Sequence, residues 1–448
     1  MRFSTITTAA LLLTTTLLGA QGYDVIVRNG RIMDGTGNGW FYADLGVRAG
    51  RIATIGTIPS DEQTTRTIDA KGLIVAPGFI DVHSHADADL YEQPKAENFI
   101  RNGVTTIISG NCGSSLLDVK DYFDTLEKNG VGLNVATLIG HNTILQKLKG
   151  LKAGDLTPDQ LEEGKKIVDQ AMQDGAMGLS TGLIYRPGTW SNTAEIVEFA
   201  KISSKYGGNY TTHMRSESTE ILKAIEETLE VGRQANCRVQ ISHFKMPRDV
   251  AETIGGSNTT LAAVVKARNQ GMEVWIDQYP YTASSTSLST MLPDWVLESG
   301  PEAAKAILQD PVQSDRIMKS FRETNEIARK RKDLSYAVVA SCRAFPEFNG
   351  RNLLEITKLR KARQASGKAL DWKDVTPSDL PPVAMIDQYE TVIAIHLEGG
   401  AGMVFHTMDE RDVENIMRRL KLNKASPHPQ APFNVVLNAS LEAVSYTH

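Results

Sequence analysis

Pro77-Gly78-Phe79-Ile80-Asp81-Val82-His83-Ser84-His85 is the stretch on which the reading of the chain turns. An apolar run ends in two imidazoles spaced two residues apart, and on a β-strand side chains at i and i+2 point to the same face. His83 and His85 can therefore converge on one point, most naturally a metal ion.

Further ligands occur in similar contexts. Cys112 closes Val104-Thr105-Thr106-Ile107-Ile108-Ser109-Gly110-Asn111, His213 closes Asn209-Tyr210-Thr211-Thr212, and His243 closes Val239-Gln240-Ile241-Ser242. Each run is rich in Val, Ile, Thr or Tyr, as strands are. One thiolate among imidazoles suits zinc better than magnesium or calcium, which take oxygen ligands.

Between these runs the pattern is helical. Ile221, Leu222, Ile225 and Leu229 form an apolar stripe. Thr157-Pro158-Asp159-Gln160 opens another helix, with Thr157 as cap, Pro158 at the first helical position and Gln160 completing a capping box; that helix ends at Gly175. Alternating strands and helices imply a parallel sheet, and ligands at the carboxyl ends of many strands favour a closed α/β barrel of the (β/α)8 or TIM type over an open sheet. Strands are expected at 79–83, 104–112, 134–141, 177–181, 209–213, 239–243 and 273–279. An eighth is not evident.

The 448 residues, 41% of them hydrophobic, suffice for such a barrel with insertions. A formal net charge of −5 leaves no electrostatic footprint for nucleic acid. Residues 1–22 read as a secretory signal peptide, with a short, threonine-diluted apolar stretch from Ile6 to Ala20, and point to a secreted or periplasmic protein without a stable membrane span; an uncleaved anchor or plain leader is the alternative. Three cysteines are too few for a disulfide scaffold; a metal-bound Cys112 resolves the odd count, leaving Cys237 and Cys342 buried or paired. Residues 23–72 read as a small β domain of short strands broken by glycine turns. The barrel is expected over 73–425, interrupted after its seventh strand by a mostly polar or charged insertion at about 281–400.

Taken together, these residues resemble the amidohydrolase superfamily and, within it, the D-aminoacylase (N-acyl-D-amino-acid deacylase) family. The similarity is carried by Gly78 to His85, by Gly103-Val104-Thr105-Thr106 with Gly110-Asn111-Cys112-Gly113, by Gly178-Leu179-Ser180-Thr181-Gly182-Leu183-Ile184-Tyr185, by Thr212-His213-Met214-Arg215, by Ile241-Ser242-His243-Phe244-Lys245 and by Asp277-Gln278-Tyr279-Pro280-Tyr281-Thr282. Hydantoinase-like relatives bridge two metals with a carboxylated lysine on the fourth strand. The strand Met177-Gly178-Leu179-Ser180-Thr181 has none, and Cys112 stands as the deacylase-type alternative.

The resemblance implies that Cys112, His213 and His243 hold a tightly bound zinc and that His83 and His85 contribute to a weaker second site. It also implies hydrolysis of an N-acyl-D-amino acid, a small molecule whose α-carboxylate is met by Lys245 and Tyr185. A solvated loop charge and a packing aromatic are the bland alternatives for those two. His141 is read either as supporting the ligands or the oxyanion, or as structural packing; His396 and His406 lie outside the strand pattern and are read as structural.

Beyond Leu420 the pattern departs from the family, where an eighth strand ends in an aspartate that moves the proton. No aspartate follows Asp412, Gln430 stands where the family has an arginine, and residues 426–448 form an aberrant tail lacking the second half of the small β domain. Activity is therefore in question. A catalytically silent metal-binding barrel and an amidohydrolase for another amide or a cyclic ureide remain as alternatives.

Overall fold

The computed structural model describes residues 22–298, 300–372, 375–376 and 380–419. The expected signal peptide, but for Gly22, and the tail at 426–448 lie outside these residues. Two compact units divide between Gly78 and Phe79.

In the first unit, β1 (Tyr23–Ile32), β2 (Phe41–Arg48), β3 (Arg51–Gly56), β4 (Thr64–Asp69) and β5 (Ile74–Val75) make one sheet. Its order is β3-β2-β1-β4, with β5 also paired to β1. The β2–β3 turn places Ala49 and Gly50 at φ +51° and +69°, the left-handed pair that fits a tight hairpin. Its core is Tyr23, Ile26 and Ile58, while Trp40, Tyr42, Ile52 and Ile74 stay exposed.

The second unit opens on the barrel strands. These are β6 (Phe79–Asp81), β7 (Val104–Ser109), β8 (Asn134–Thr137) continued by β9 (Ile139–Gly140), β10 (Gly178–Gly182), β11 (Asn209–His213), β12 (Val239–Ile241) and β13 (Val274–Ile276). All pairings are parallel, in the order β6-β7-β8 and β9-β10-β11-β12-β13. The seven expected strand segments thus form the α/β barrel wall. Among the described residues nothing pairs with the outer edges of β6 and β13, and Phe79 and Ile80 on β6 remain 62% and 51% exposed.

Helices pack outside the strands through one apolar core that includes Val168, Leu179, Phe199, Tyr210, Ile225 and Val239. The helix Pro158–Gln173 carries the expected capping box: Gln160 N donates to Thr157 Oγ1 at 3.3 Å and Thr157 N donates to Gln160 Oε1 at 3.0 Å. On the helix Ile221–Ala235, Ile221, Ile225 and Leu229 are buried as expected. Leu222 is 39% exposed instead, because it falls one residue to the side of that stripe.

After β13 the chain builds a separate layer. Strands β14 (Ser284–Ser287), β15 (Ala337–Ser341) and β16 (Gly402–Phe405) form an antiparallel sheet in the order β14-β16-β15. Helices including Leu353–Ser366 and Met385–Leu397 cover it around Leu288, Phe321, Phe348 and Tyr389. The stretch read as mostly polar therefore has an apolar core of its own, since its helices bury one face and expose the charged one. The helix Glu410–Arg419 returns to the barrel, where Asp412 Oδ1 accepts from Ser257 N at 2.8 Å. Cys237 and Cys342 are free thiols, not a disulfide pair.

Candidate metal centre

The strand ends aim their side chains through unusual backbone turns. After β7, Gly110, Cys112 and Gly113 adopt φ values of +74°, +52° and +77°. A Cβ on Gly110 would lie 2.1 Å from Leu138 O and one on Gly113 would lie 2.3 Å from Asn142 Oδ1, so only glycine lets this turn press against the third strand. His243 also has positive φ, +35°, and its backbone N donates to Asp277 Oδ1 at 2.6 Å. Two non-glycine residues held in left-handed backbone at one site represent strain of about 1–3 kcal/mol each, stabilised by their surroundings.

Four side chains from four strand ends meet there. Cys112 Sγ lies 3.3 Å from His83 Nε2 and 3.5 Å from His243 Nε2, and His243 Nε2 lies 3.0 Å from His213 Nδ1. Each ring turns its other nitrogen to a carboxylate. His83 Nδ1 is 3.3 Å from Asp277 Oδ1, His213 Nε2 is 3.3 Å from Glu217 Oε2, and His243 Nδ1 is 2.9 Å from Glu217 Oε1. Such outer carboxylates fix the tautomer of metal-ligating histidines. The groupings His83–Cys112–His243 and His213–Glu217–His243 both have donor atoms close enough to share an ion.

The electrostatics match a cation site. Burial alone would raise the Cys112 thiol, but His83 and His243 outweigh it and hold the thiol well below its usual range. Burial would likewise raise Glu217, but Lys245, His213 and His243 keep it well below the usual carboxylate range. Burial pushes Asp81, whose Oδ1 accepts from His83 N, up to about 6. A buried thiolate and inward-turned imidazole nitrogens are a donor set that zinc satisfies.

The sequence-predicted residues are placed as follows. His83, Cys112, His213 and His243 converge; His85 is more exposed, its ring centroid 5.3 Å from that of His83. Tyr185 packs its ring 4.7 Å from His213, with its hydroxyl 3.3 Å from Thr286 Oγ1. Lys245 Nζ lies 2.5 Å from Glu217 Oε1 and 2.9 Å from His243 Nδ1. All of these line one cavity of about 1980 Å³, walled on its far side by the insertion. His141 is not brought there: fully buried, it lies 3.3 Å from Glu195 Oε1 and packs against Phe199, on the helical side of the barrel.

Sequence reasoning missed Glu217, Asp277 and the cavity position of His396. Asp277 was legible as a carboxylate at the end of the seventh strand. Glu217 sits in the irregular run Met214-Arg215-Ser216-Glu217, where no periodicity marks an inward side chain.

A family model described as "Amidohydrolase family" matches residues 66–282. The D-aminoacylase of Alcaligenes xylosoxydans xylosoxydans is 31% identical over 421 residues, covering 89% of this chain and 73% of that protein. N-acyl-D-glutamate deacylase from the same organism is 35% identical over 291 residues, covering 59% of this chain and 58% of that protein. Among solved structures, a D-aminoacylase aligns with TM-score 0.67 and 29% identity over 88% of this chain and 74% of its own. The N-acyl-D-glutamate deacylase of Bordetella bronchiseptica, complexed with zinc and a phosphonate inhibitor, aligns with TM-score 0.69 and 29% identity over 89% of this chain and 75% of its own.

Barrel, converging strand-end histidines and cysteine, and matched relatives together define an amidohydrolase. More narrowly, the chain belongs to the D-aminoacylase family.

Proposed function

We propose that this protein is built for zinc-dependent hydrolysis of the amide bond of N-acyl-D-amino acids, releasing a carboxylate and a free D-amino acid. The observation that carries this reading is the convergence of Cys112 with three imidazoles, each with a carboxylate oxygen of Asp277 or Glu217 within 3.3 Å of its other nitrogen. Cys112, His213 and His243 would hold the zinc, with His83 and His85 toward a second position. Bound there, zinc supplies a water of pKa near about 7 and a polarised amide carbonyl.

The chain's own residues do the rest. Glu217 holds the His213 and His243 rings in place and spreads its charge onto Lys245. An ammonium has three donors; beyond its contact to Glu217, Lys245 keeps donors for the substrate α-carboxylate, with the Tyr185 hydroxyl beside the same cavity. The D-configuration is supported by the relatives named D-aminoacylase and N-acyl-D-glutamate deacylase. The short, threonine-diluted apolar stretch from Ile6 to Ala20 supports export, which N-terminal sequencing of the mature protein tests.

Proton transfer is the weak point. The carboxylates lining the cavity are, among the described residues, Glu217 and Glu398. Glu217 is already committed to two imidazoles and a lysine. A positioned acid or base contributes about 10²–10⁴ in rate, so turnover slower than that of the D-aminoacylase relatives by that factor is expected while substrate binding persists. Calorimetric binding of N-acetyl-D-methionine to the zinc-loaded protein, run beside a D-amino-acid release assay, tests both parts. Absence of binding sinks the deacylase reading, and relative-like turnover sinks the impairment. The commitment of Glu217 to its neighbours equally favours a second reading, a silent barrel that binds without turnover, for which the release assay gives no signal.

A further inference from the structure

Arg186 directly follows Tyr185 in the loop after β10, and both line the cavity of the metal centre. Both also reach the insertion, since the Tyr185 hydroxyl lies 3.3 Å from Thr286 Oγ1 on β14. Tyr185 packs on His213. The charge of Arg186 acts on His396, in the helix Met385–Leu397, and responds to Asp294, so its surroundings belong to the insertion.

Three other cations of this cavity are already matched, and a fourth, Arg343, is exposed. Lys245 pairs with Glu217 at 2.5 Å, Arg331 pairs with Asp249 at 3.2 Å, and Arg329 donates to Ser218 Oγ at 2.6 Å. Arg186 is half-buried, yet among the described residues its guanidinium makes no hydrogen bond or ion pair. Burial disfavours its charged form first, and Asp294 offsets this only through space. A half-buried guanidinium without a partner costs free energy in the empty protein, a cost that an anionic ligand removes with two parallel, charge-assisted hydrogen bonds.

We infer that Arg186 binds a second carboxylate of the substrate, so that the site selects N-acyl-D-amino acids carrying one beyond the α-carboxylate. This rests on the deacylase reading above. The α-carboxylate falls to Lys245 and Tyr185 at the metal side; Arg186, toward the insertion, meets a group farther out. A cavity of about 1980 Å³ has room for that span. The second carboxylate sits either on the amino-acid side chain or on the acyl group.

The test is calorimetric binding to the zinc-loaded full chain of N-acetyl-D-glutamate, N-succinyl-D-leucine and N-acetyl-D-leucine, with Arg186→Gln and Arg186→Lys alongside. One of the two dicarboxylates is expected to bind about 10- to 100-fold more tightly than N-acetyl-D-leucine. Which one does so locates the second carboxylate on the side chain or on the acyl group. Arg186→Gln should erase that preference and Arg186→Lys should keep part of it. In the unmutated chain the preference should also shrink as salt rises from low to high, which keeps the test decisive if a variant fails to fold. A preference that is absent, or that survives Arg186→Gln unchanged, overturns this inference while binding of N-acetyl-D-leucine leaves the deacylase reading in place. If none of the three binds, both fall.

Discussion

Cys112 Sγ lies 3.5 Å from His243 Nε2, although 131 positions separate the two residues along the chain. The contact exists because β7 and β12 carry their last residues to the same end of one barrel, and each then turns inward through a left-handed backbone position. A thiol and an imidazole that approach this way in a buried pocket form part of a candidate metal site whose parts are each weak alone.

Removing the sulfur should therefore empty the site. Cys112→Ala is expected to drop zinc from about one ion per chain to below about one tenth after gel filtration. Elemental analysis checks this. In the unmutated protein, zinc at a hundred times its Kd should raise stability by about 2.7 kcal/mol, seen as a fall in Tm when a chelator is added. A chelator without effect on Tm would argue against the metal centre.

Glu217 contacts His213, His243 and Lys245 at once. Glu217→Gln keeps the shape and removes the charge, so zinc affinity should fall about 10- to 100-fold. Competition against a chromogenic chelator measures it. Unchanged affinity would leave Glu217 a packing residue.

His141 and Glu195 form a buried pair away from the cavity, closed by Ser191 Oγ donating to Glu195 Oε1 at 2.6 Å. Burial would raise the Glu195 carboxyl, but His141 and Ser191 outweigh it and keep it low. Its stabilising contribution is therefore complete above the unfolded carboxylate pKa of about 4.3 and is lost as pH falls through the lower folded value. Glu195→Ala should cost about 3 kcal/mol near neutral pH, with zinc content unchanged, and the cost should shrink in acid. Denaturant melts at several pH values decide it.

Gly110 combines φ +74° with a Cβ position 2.1 Å from a backbone oxygen. Gly110→Ala must displace the turn that carries Cys112, and should destabilise by roughly 2–4 kcal/mol while weakening zinc binding. Gly130→Ala, at φ +72° with open space around it, is the comparison that isolates backbone strain from the clash. Equal losses of zinc affinity in the two variants would remove the special role given to the Gly110 turn.

Much of this protein is written locally. The seven strand segments, the capping box at Thr157 and Gln160, and the inward histidines and cysteine follow from period-two runs, cap chemistry and residue type, which act over a few neighbouring positions. Leu222 shows where such a pattern overreaches by one residue. The insertion's own core was not legible, because a helix with one buried face contains many charged residues whichever way it packs, so composition alone does not report a core.

What tertiary structure alone decided is the partnership among distant groups. Glu217 became the shared neighbour of His213, His243 and Lys245, His141 was drawn to Glu195 instead of the cavity, and Arg186 was left at the cavity wall with Asp294 acting on it only through space and, among the described residues, no hydrogen bond or ion pair. Sequence order fixes which side chains exist and which way each strand points them. Electrostatic pairing falls off with distance in space, and that distance is set only when the strands close around a common axis.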